Sequence, residues 1–259
     1  MSCHGTLYKA VLSSGHVLAV KLLKEGIAKG RKEFAREAKK LGNIRHPNLV
    51  SLQGFYWGPK EHEKLIISKY INAPCLALYL HVLCSNLRLL SLVRLSLGTD
   101  NERSLICLFA DRLKVALDVA CCLTYLHTES AIPHGNLKST NILIEVPNIN
   151  VLLTDYSLHR LLDISRDSEQ VAECVSCYLP PEFTSTTDIV PGNPEVVDLS
   201  EWVSLMAAEN RAVECFDFAD FRPQKQREPF QRVLIHASDC SLKCILRPRE
   251  RPDMKMILE

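Results

Sequence analysis

The chain carries no excess of charge of either sign. Its 31 lysines and arginines stand against 30 aspartates and glutamates, a formal net charge of +1. Such a balance sets up no global field that would draw the protein to nucleic acid or to an anionic membrane, so a partner must be recognised locally. An uninterrupted apolar run is also lacking. The most apolar stretch, Cys75 to Leu97, is broken by Asn86, Arg88 and Arg94, whereas a membrane span needs about 20 apolar residues in a row. The chain as written is expected to be soluble. No internal repeat is apparent, and no cleavable signal segment precedes the cysteines.

There are 11 cysteines, scattered rather than framed, which suits a reducing cytosol better than a disulfide scaffold. Cys174 and Cys177 form a C-x-x-C, and Cys240 and Cys244 lie further on. Ligand type allows a structural zinc there, but the unequal spacing and the long intervening chain favour buried thiols. With 259 residues and a 47% hydrophobic fraction, the chain can bury a large core as one two-lobed domain or as two small ones.

Leu7 to Leu12 and Val17 to Leu22 are short apolar runs around the turn residues Ser13-Ser14-Gly15-His16 and predict a hairpin. Lys29 to Leu41 has helical spacing, with Phe34, Ala38 and Leu41 on one stripe and Gly42 as its stop. Leu49 to Trp57 and Leu65 to Ile71 predict two antiparallel strands. Asp111 to His127 predicts a long amphipathic helix with Leu113, Ala116, Leu117, Ala120, Leu123 and Leu126 inward. Ile142 to Ile144 and Val151 to Leu153 predict strands around a Pro147-Asn148 turn. Leu199 to Ala208 and Phe230 to Leu246 predict further helices, the latter ending before Pro248. A strand-rich first third followed by a helix-rich remainder is the pattern of an α+β, two-lobed domain.

In order along the chain come HGTLYKA, LAVK, EFAREAKKLGNIRHPNLV, YLH, HGNLKSTNIL, TDYS, YLPPE and RPRERPDM. Each is weak alone, but their joint order and spacing resemble the signature of a protein kinase. The likeness is greatest to plant leucine-rich-repeat receptor-like kinases, particularly those with His-Gly-Asn in place of His-Arg-Asp. It implies a protein-kinase-like fold with residues 1–71 as a β-rich small lobe and 72–259 as a mainly helical large lobe. ATP and Mg, bound weakly or not at all, are the implied cofactors. Other receptor kinases or signalling proteins, met through surface contacts, are the implied partners, on the cytoplasmic side of the plasma membrane beneath a parent receptor's span.

Phosphoryl transfer needs the triphosphate held, its charge neutralised and the acceptor oriented, because positioning and electrostatics supply nearly all of the catalysis. The resemblance assigns Lys21 to the α- and β-phosphates and Glu37 as its ion-pair partner. It places Gly5, Ala19, Ser68, Ile71 and Leu143 with them around the nucleotide. Asn141 and Asp155 stand where the family holds magnesium with oxygen ligands. Lys138 stands for the lysine that steadies the γ-phosphate and acceptor. Outside that frame, Lys21 and Glu37 would be a surface pair of small worth, and Asn141 and Asp155 turn-capping residues.

The departures matter as much. Asn136 takes the place of the catalytic aspartate and cannot accept a proton; a general base contributes about 10²- to 10⁴-fold in rate. Gly135 removes the arginine that pairs with a phosphorylated activation segment. Ser157 replaces the glycine of Asp-Phe-Gly, which is expected to restrict the flip of that loop. Of the glycine-rich loop only Gly5 remains, with Cys3 where a second glycine is usual, so the first strand of the small lobe is expected to be missing and an edge left unpaired.

Leu83 to Leu108 is an insert matching no motif. The short stretch Phe183 to Val196, with Pro191, Gly192 and Pro194, stands where the family places the buried central helix of the large lobe. Losing several side chains worth about 1.5 to 3 kcal/mol each from a fold stable by about 5 to 15 kcal/mol predicts marginal stability. Arg251 matches the partner of Glu182 in a buried structural bridge. Three readings stay open: a pseudokinase acting in signalling with possible ATP binding, an active serine/threonine kinase, and a non-functional gene fragment.

Overall fold

Apolar residues that alternate or run together in short stretches, separated by turn residues, build the first sheet. Strand β1 (Gly5–Val11) pairs antiparallel with β2 (Val17–Leu23), from Gly5 opposite Leu23 to Val11 opposite Val17. The tip closes with Leu12 N–H donating to the His16 carbonyl and Gly15 N–H to the Leu12 carbonyl, both at 2.9 Å, and Gly15 takes φ +82°, a conformation that costs glycine nothing. Strands β3 (Leu52–Trp57) and β4 (Lys64–Lys69) complete a four-stranded antiparallel sheet of order β1-β2-β4-β3. β1 is thus an edge strand, and it exposes Leu7, Tyr8 and Val11.

The computed structural model describes residues 4–60, 62–83 and 109–163, with short stretches at 205–206, 208–209, 243 and 249–258. The chain divides into two units, Met1–Ile106 with Asp111–Val175, and Cys107–Ala110 with Ser176–Glu259. The sheet and the candidate site lie in the first. In the second, Met254–Leu258 forms a short helix, α3.

Helix α1 runs from Arg31 to Gly42 and is closed by Asn43. Its start lies two residues beyond the expected one because Ala28 bridges Leu162 and Lys29 N–H donates to the Leu161 carbonyl. Gly42 is its last residue rather than its stop. Phe34, Ala38 and Leu41 form the buried stripe. Phe34 anchors it on the sheet, edge-on to Phe55 and Trp57 at centroid distances of 5.7 and 5.1 Å. β3 begins at Leu52 rather than Leu49 because the chain before it pairs elsewhere: Leu49 bridges Leu153, and Val50 N–H donates to the Leu153 carbonyl. β4 ends at Lys69, short of Ile71. The chain after it pairs with the large lobe, where Cys75 bridges Leu143 and Ile144 N–H donates to the Pro74 carbonyl.

A short π-helical turn spans Leu78–Leu83, and helix α2 spans Phe109–Thr128. Its buried stripe is Val115, Cys122 and Leu126, while Leu113 and Leu117, expected inside, are exposed. Leu126, also expected inside, is buried and Leu123 packs against the core, so only the first half of the expected stripe is displaced, and packing decides that displacement. The buried stripe meets the Asn48 loop, whose carbonyl accepts from the Cys122 thiol and from Leu153 N–H and whose side chain donates to the Val151 carbonyl. Strands β5 (Ile142–Glu145) and β6 (Asn150–Leu153) form an antiparallel pair around the Pro147 turn, with Ile144, Val151 and Leu153 fully buried.

The result is a sheet-rich small lobe and a partial helical lobe. Among the described residues no helix is long and apolar enough to cross a membrane. The insert beyond Leu83, the stretch Phe183 to Val196, the two cysteine pairs, Glu182 and nearly all of Phe230 to Leu246 lie outside the described residues. Of Leu199 to Ala208, residues 205, 206 and 208 are helical.

Candidate functional site

Lys21 lies on the inner strand β2, between Leu7 of β1 and Ile66 of β4. Its side chain is only 5% exposed, and an ammonium so placed needs an anion beside it. That anion is Asp155, just past β6, whose carboxylate forms an ion pair and hydrogen bond with Lys21 Nζ. Asp155 holds φ +58°. His4, buried at the foot of β1, faces Lys21, Asp155, Lys138 and Lys24; burial first, then the field of Lys21, holds its imidazole below the usual value and hence neutral.

Glu37 therefore does not meet its expected partner. Its carboxylate, 6% exposed, accepts from Arg160 Nη2 at 2.8 Å and Nε at 2.9 Å through Oε2, and from Lys40 at 3.0 Å and Arg36 at 3.2 Å through Oε1. Lys40 and then Arg160 bring its pKa down to about 2, against an opposing effect of burial. The cause lies in the turn after Asp155. Tyr156 is buried and donates its hydroxyl to the Leu41 carbonyl at 3.1 Å, tying the turn to the end of α1. Ser157 is fully buried at φ +56° and donates its hydroxyl to the Pro133 carbonyl at 2.6 Å. A short 3-10 turn, Leu158–Arg160, then carries Arg160 to Glu37.

On the loop before β5, Gly135 takes φ +69°, and a Cβ there would lie 2.3 Å from His159 Nδ1. A side chain at residue 135 and the observed place of His159 exclude each other. His134 is 2% exposed, and burial, partly offset by Asp155, lowers its pKa to about 4. Asn136 N–H donates to His134 Nδ1 at 3.3 Å, and the Asn136 carbonyl accepts from Asn141 Nδ2 at 2.8 Å. Asn136 Nδ2 is buried with no acceptor among the described residues. Asn141 also receives Thr154 N–H at its carbonyl, at 2.9 Å, which places it beside the strand end that leads to Asp155. Lys138 precedes the short 3-10 turn Ser139–Asn141, and its carbonyl accepts from Asn141 N–H at 2.8 Å.

Of the remaining residues, Ala19 stands opposite Ser68 across β2 and β4, with the Ser68 hydroxyl 3.5 Å from the Ala19 carbonyl. Ala19 and Lys21 share one face of β2. Ile71 and Leu143 are half-buried, and Leu143 bridges Cys75 on the segment following Ile71. Gly5 is buried at φ +149°, where a Cβ would fall 2.0 Å from the Leu22 carbonyl oxygen. That glycine is fixed by close strand contact.

The model of the family described as protein tyrosine and serine/threonine kinase matches residues 2–190. The chain belongs to the protein kinase family. Among curated relatives, a probable inactive receptor kinase of Arabidopsis thaliana is 37% identical over all of this chain and 25% of its own length. The Arabidopsis LRR receptor-like serine/threonine-protein kinase GHR1 is equally identical, over all of this chain and 26% of its own length. The chain thus spans about a quarter of these relatives. Among solved structures, the maize SIRK1 kinase domain bound to AMP-PNP has a TM-score of 0.78 at 39% identity, covering 99% of this chain and 88% of that one. The pseudokinase domain of BIR2 has a TM-score of 0.65 at 25% identity, covering 98% and 76%.

This kinase domain therefore brings Lys21, Asp155, Asn141, Asn136, Lys138 and His4 to one region and sets Glu37 apart with Arg160. His4, Tyr156 and Arg160 are contacts that sequence reasoning missed. A basic residue shortly after Asp-Tyr-Ser was the available signal for Arg160; nothing in the local sequence signalled His4.

Proposed function

We propose that the chain is a pseudokinase domain of a receptor-like kinase that keeps a nucleotide-binding site and transfers phosphate weakly or not at all. The observation that carries this reading is Asn136. Where a general base would accept a proton, this side chain has a buried amide donor without an acceptor among the described residues. A donor suits a phosphate oxygen and is useless for deprotonating a hydroxyl.

The remaining donor set fits ATP with a hard dication. Asp155 supplies a carboxylate, and Asn141, whose Nδ2 is engaged by the Asn136 carbonyl, has its side-chain oxygen to offer. Lys21, Lys138 and the Asn136 amide would hold phosphate. Ala19, Ser68, Ile71 and Leu143 would border the base, and Gly5 would underlie the phosphates. When bound, the metal would neutralise phosphate charge. Lys21 and Asp155 neutralise one another in the free domain, so binding must separate them, which supports weak affinity. Residues 1–71 act as the small lobe and 72–259 as the large one. Signalling through surface contacts with other receptor or signalling proteins is the role that remains when chemistry is lost.

A thermal-shift titration with ATP, with and without magnesium, tests the reading on the native chain beside Lys21→Ala. A ligand confined to the folded state raises the midpoint. A magnesium-dependent rise that Lys21→Ala abolishes, together with no transfer of radiolabelled phosphate, is the expected result; no shift at any ATP concentration would sink the nucleotide part. The similarity to GHR1, named a serine/threonine-protein kinase, favours a second reading as an active enzyme. That reading requires phosphate transfer that disappears in Asp155→Ala.

A further inference from the structure

Between Lys29 and Arg45 the chain carries seven lysines and arginines against two glutamates, within a protein whose net charge is only +1. On α1, Lys32, Arg36, Lys39 and Lys40 lie opposite the buried stripe of Phe34, Ala38 and Leu41, and Arg31 extends them at the first turn. All five are exposed. Glu33 and Glu37 engage Arg36 and Lys40. The side chains of Arg31, Lys32 and Lys39 form no ion pair or hydrogen bond among the described residues. Arg31 and Lys32 also stand in the first turn, at the positive pole of the helix dipole, where a cation is unfavourable. Neither pairing nor the dipole gives these residues a part in stabilising the fold.

We propose that the outer face of α1 adsorbs to a surface of anionic phospholipid, with Arg31, Lys32 and Lys39 as its principal contacts. The composition of the face favours lipid over a protein partner. Protein interfaces have an apolar or aromatic core and are poor in lysine. Among the described residues the large exposed hydrophobic side chains, such as Leu7, Tyr8, Leu113 and Leu117, lie on other elements and none lies on α1. Shape points the same way. A helix of 12 residues is about 18 Å long, and cations along its convex side meet a plane of headgroups without a fitted pocket. The apolar face of α1 packs on the sheet, so nothing inserts and the attraction is electrostatic alone. A near-zero net charge is no obstacle, because charges beyond a Debye length, about 10 Å at 0.1 M salt, are screened and the local cluster sets the field at the contact. The face shares no residue with the nucleotide site of Lys21, Asp155, Asn141 and Lys138, and the proposal does not depend on that site.

Cosedimentation of the full chain with vesicles of phosphatidylcholine, alone and with about 30 mol% phosphatidylserine, tests it at about 50 mM and about 500 mM salt. The variants are Arg31→Gln, Lys32→Gln and Lys39→Gln, singly and combined. A charge-matched control replaces Lys60, Lys69 and Lys114, exposed residues on other elements, by Gln. The expected result is binding to the anionic vesicles only, lost at high salt. Each single variant weakens it about fivefold and the triple variant about a hundredfold, while the control stays within about threefold of wild type. Gln keeps good helix propensity, and the single variants keep the test readable should the triple variant melt early. Absence of binding to the anionic vesicles overturns the proposal, as does equal weakening by the control, which would show an effect of net charge alone. Tighter binding of a deca-glutamate peptide than of the vesicles at the same salt would assign the face to an acidic protein segment and overturn it as well.

Discussion

Replacing Arg160 by Gln tests whether the Glu37–Arg160 pair fastens α1 to the turn after Asp155. Arg160 gives Glu37 Oε2 two charge-assisted bonds of 2.8 and 2.9 Å. Hydrogen bonds to charged groups contribute about 1.5 to 3 kcal/mol each when buried. Arg160 is 30% exposed, so solvent screening lowers the pair, and Lys40 and Arg36 stay on Oε1. Together these set the expected coupling at about 1 to 2 kcal/mol. Urea unfolding of wild type, Arg160→Gln, Glu37→Gln and the double variant closes a cycle that isolates this term. For a chain of this size, Arg160→Gln is expected to lower the midpoint of thermal unfolding by about 2 to 8 °C. The acid limb gives a second readout. Glu37 is held at about 2, below its usual value of 4.5, so its contribution is full above pH 4.5 and is lost as pH falls towards 2. In Arg160→Gln the loss begins at the same pH, set by the unfolded value, but is smaller and is complete at a higher pH. A coupling under about 0.3 kcal/mol, within the range in which independent sites simply add, would refute the reasoning.

Ser157→Ala removes the bond to Pro133, a residue exposed enough for its carbonyl to turn to water, so the expected cost is about 1 kcal/mol. Ser157→Gly loses the same bond but relieves a left-handed φ of +56°, and is expected to be less destabilising than Ala; guanidinium midpoints in the reverse order would contradict this account of the turn. His134 is lowered from 6.5 to about 4 by burial, so the fold keeps it neutral while the unfolded chain protonates it. Stability is full above pH 6.5 and falls between 6.5 and 4, by about 3 kcal/mol for this residue at 1.36 kcal/mol per unit. Because His4, His46 and His159 are lowered too, the diagnostic is the difference. His134→Gln should flatten the pH dependence of the urea midpoint by about one proton, and an unchanged slope would show that His134 is not buried neutral.

Residues with strong local reasons were legible. Phe34, Ala38 and Leu41 fell on one helical stripe and are buried together, and the hairpin tip at Gly15 announced itself by its turn residues. The order of the kinase motifs identified the family before any contact was known. Places where two local patterns competed were not legible. Leu126 was expected inside and is buried, but Leu113 and Leu117 compete with Val115 and Cys122 for the rest of the buried face of α2, and only the Asn48 loop packed against the second pair decides between them. Likewise Leu49 has the composition of a strand residue for β3, yet pairs with Leu153 on β6.

The sequence by itself determined the fold, the family and the loss of a carboxylate at residue 136, because these depend on residue identity and spacing. By resemblance it paired Lys21 with Glu37 and gave Asp155 to the metal, and the structure pairs Lys21 with Asp155 and Glu37 with Arg160 instead. That choice belongs to the tertiary structure. Tyr156 and Ser157 anchor the turn after Asp155 to α1 and to Pro133, the turn delivers Arg160 to Glu37, and Lys21 is left to Asp155. Coulomb attraction allows either carboxylate to take the lysine, and only the geometry of the packed chain fixes which one does.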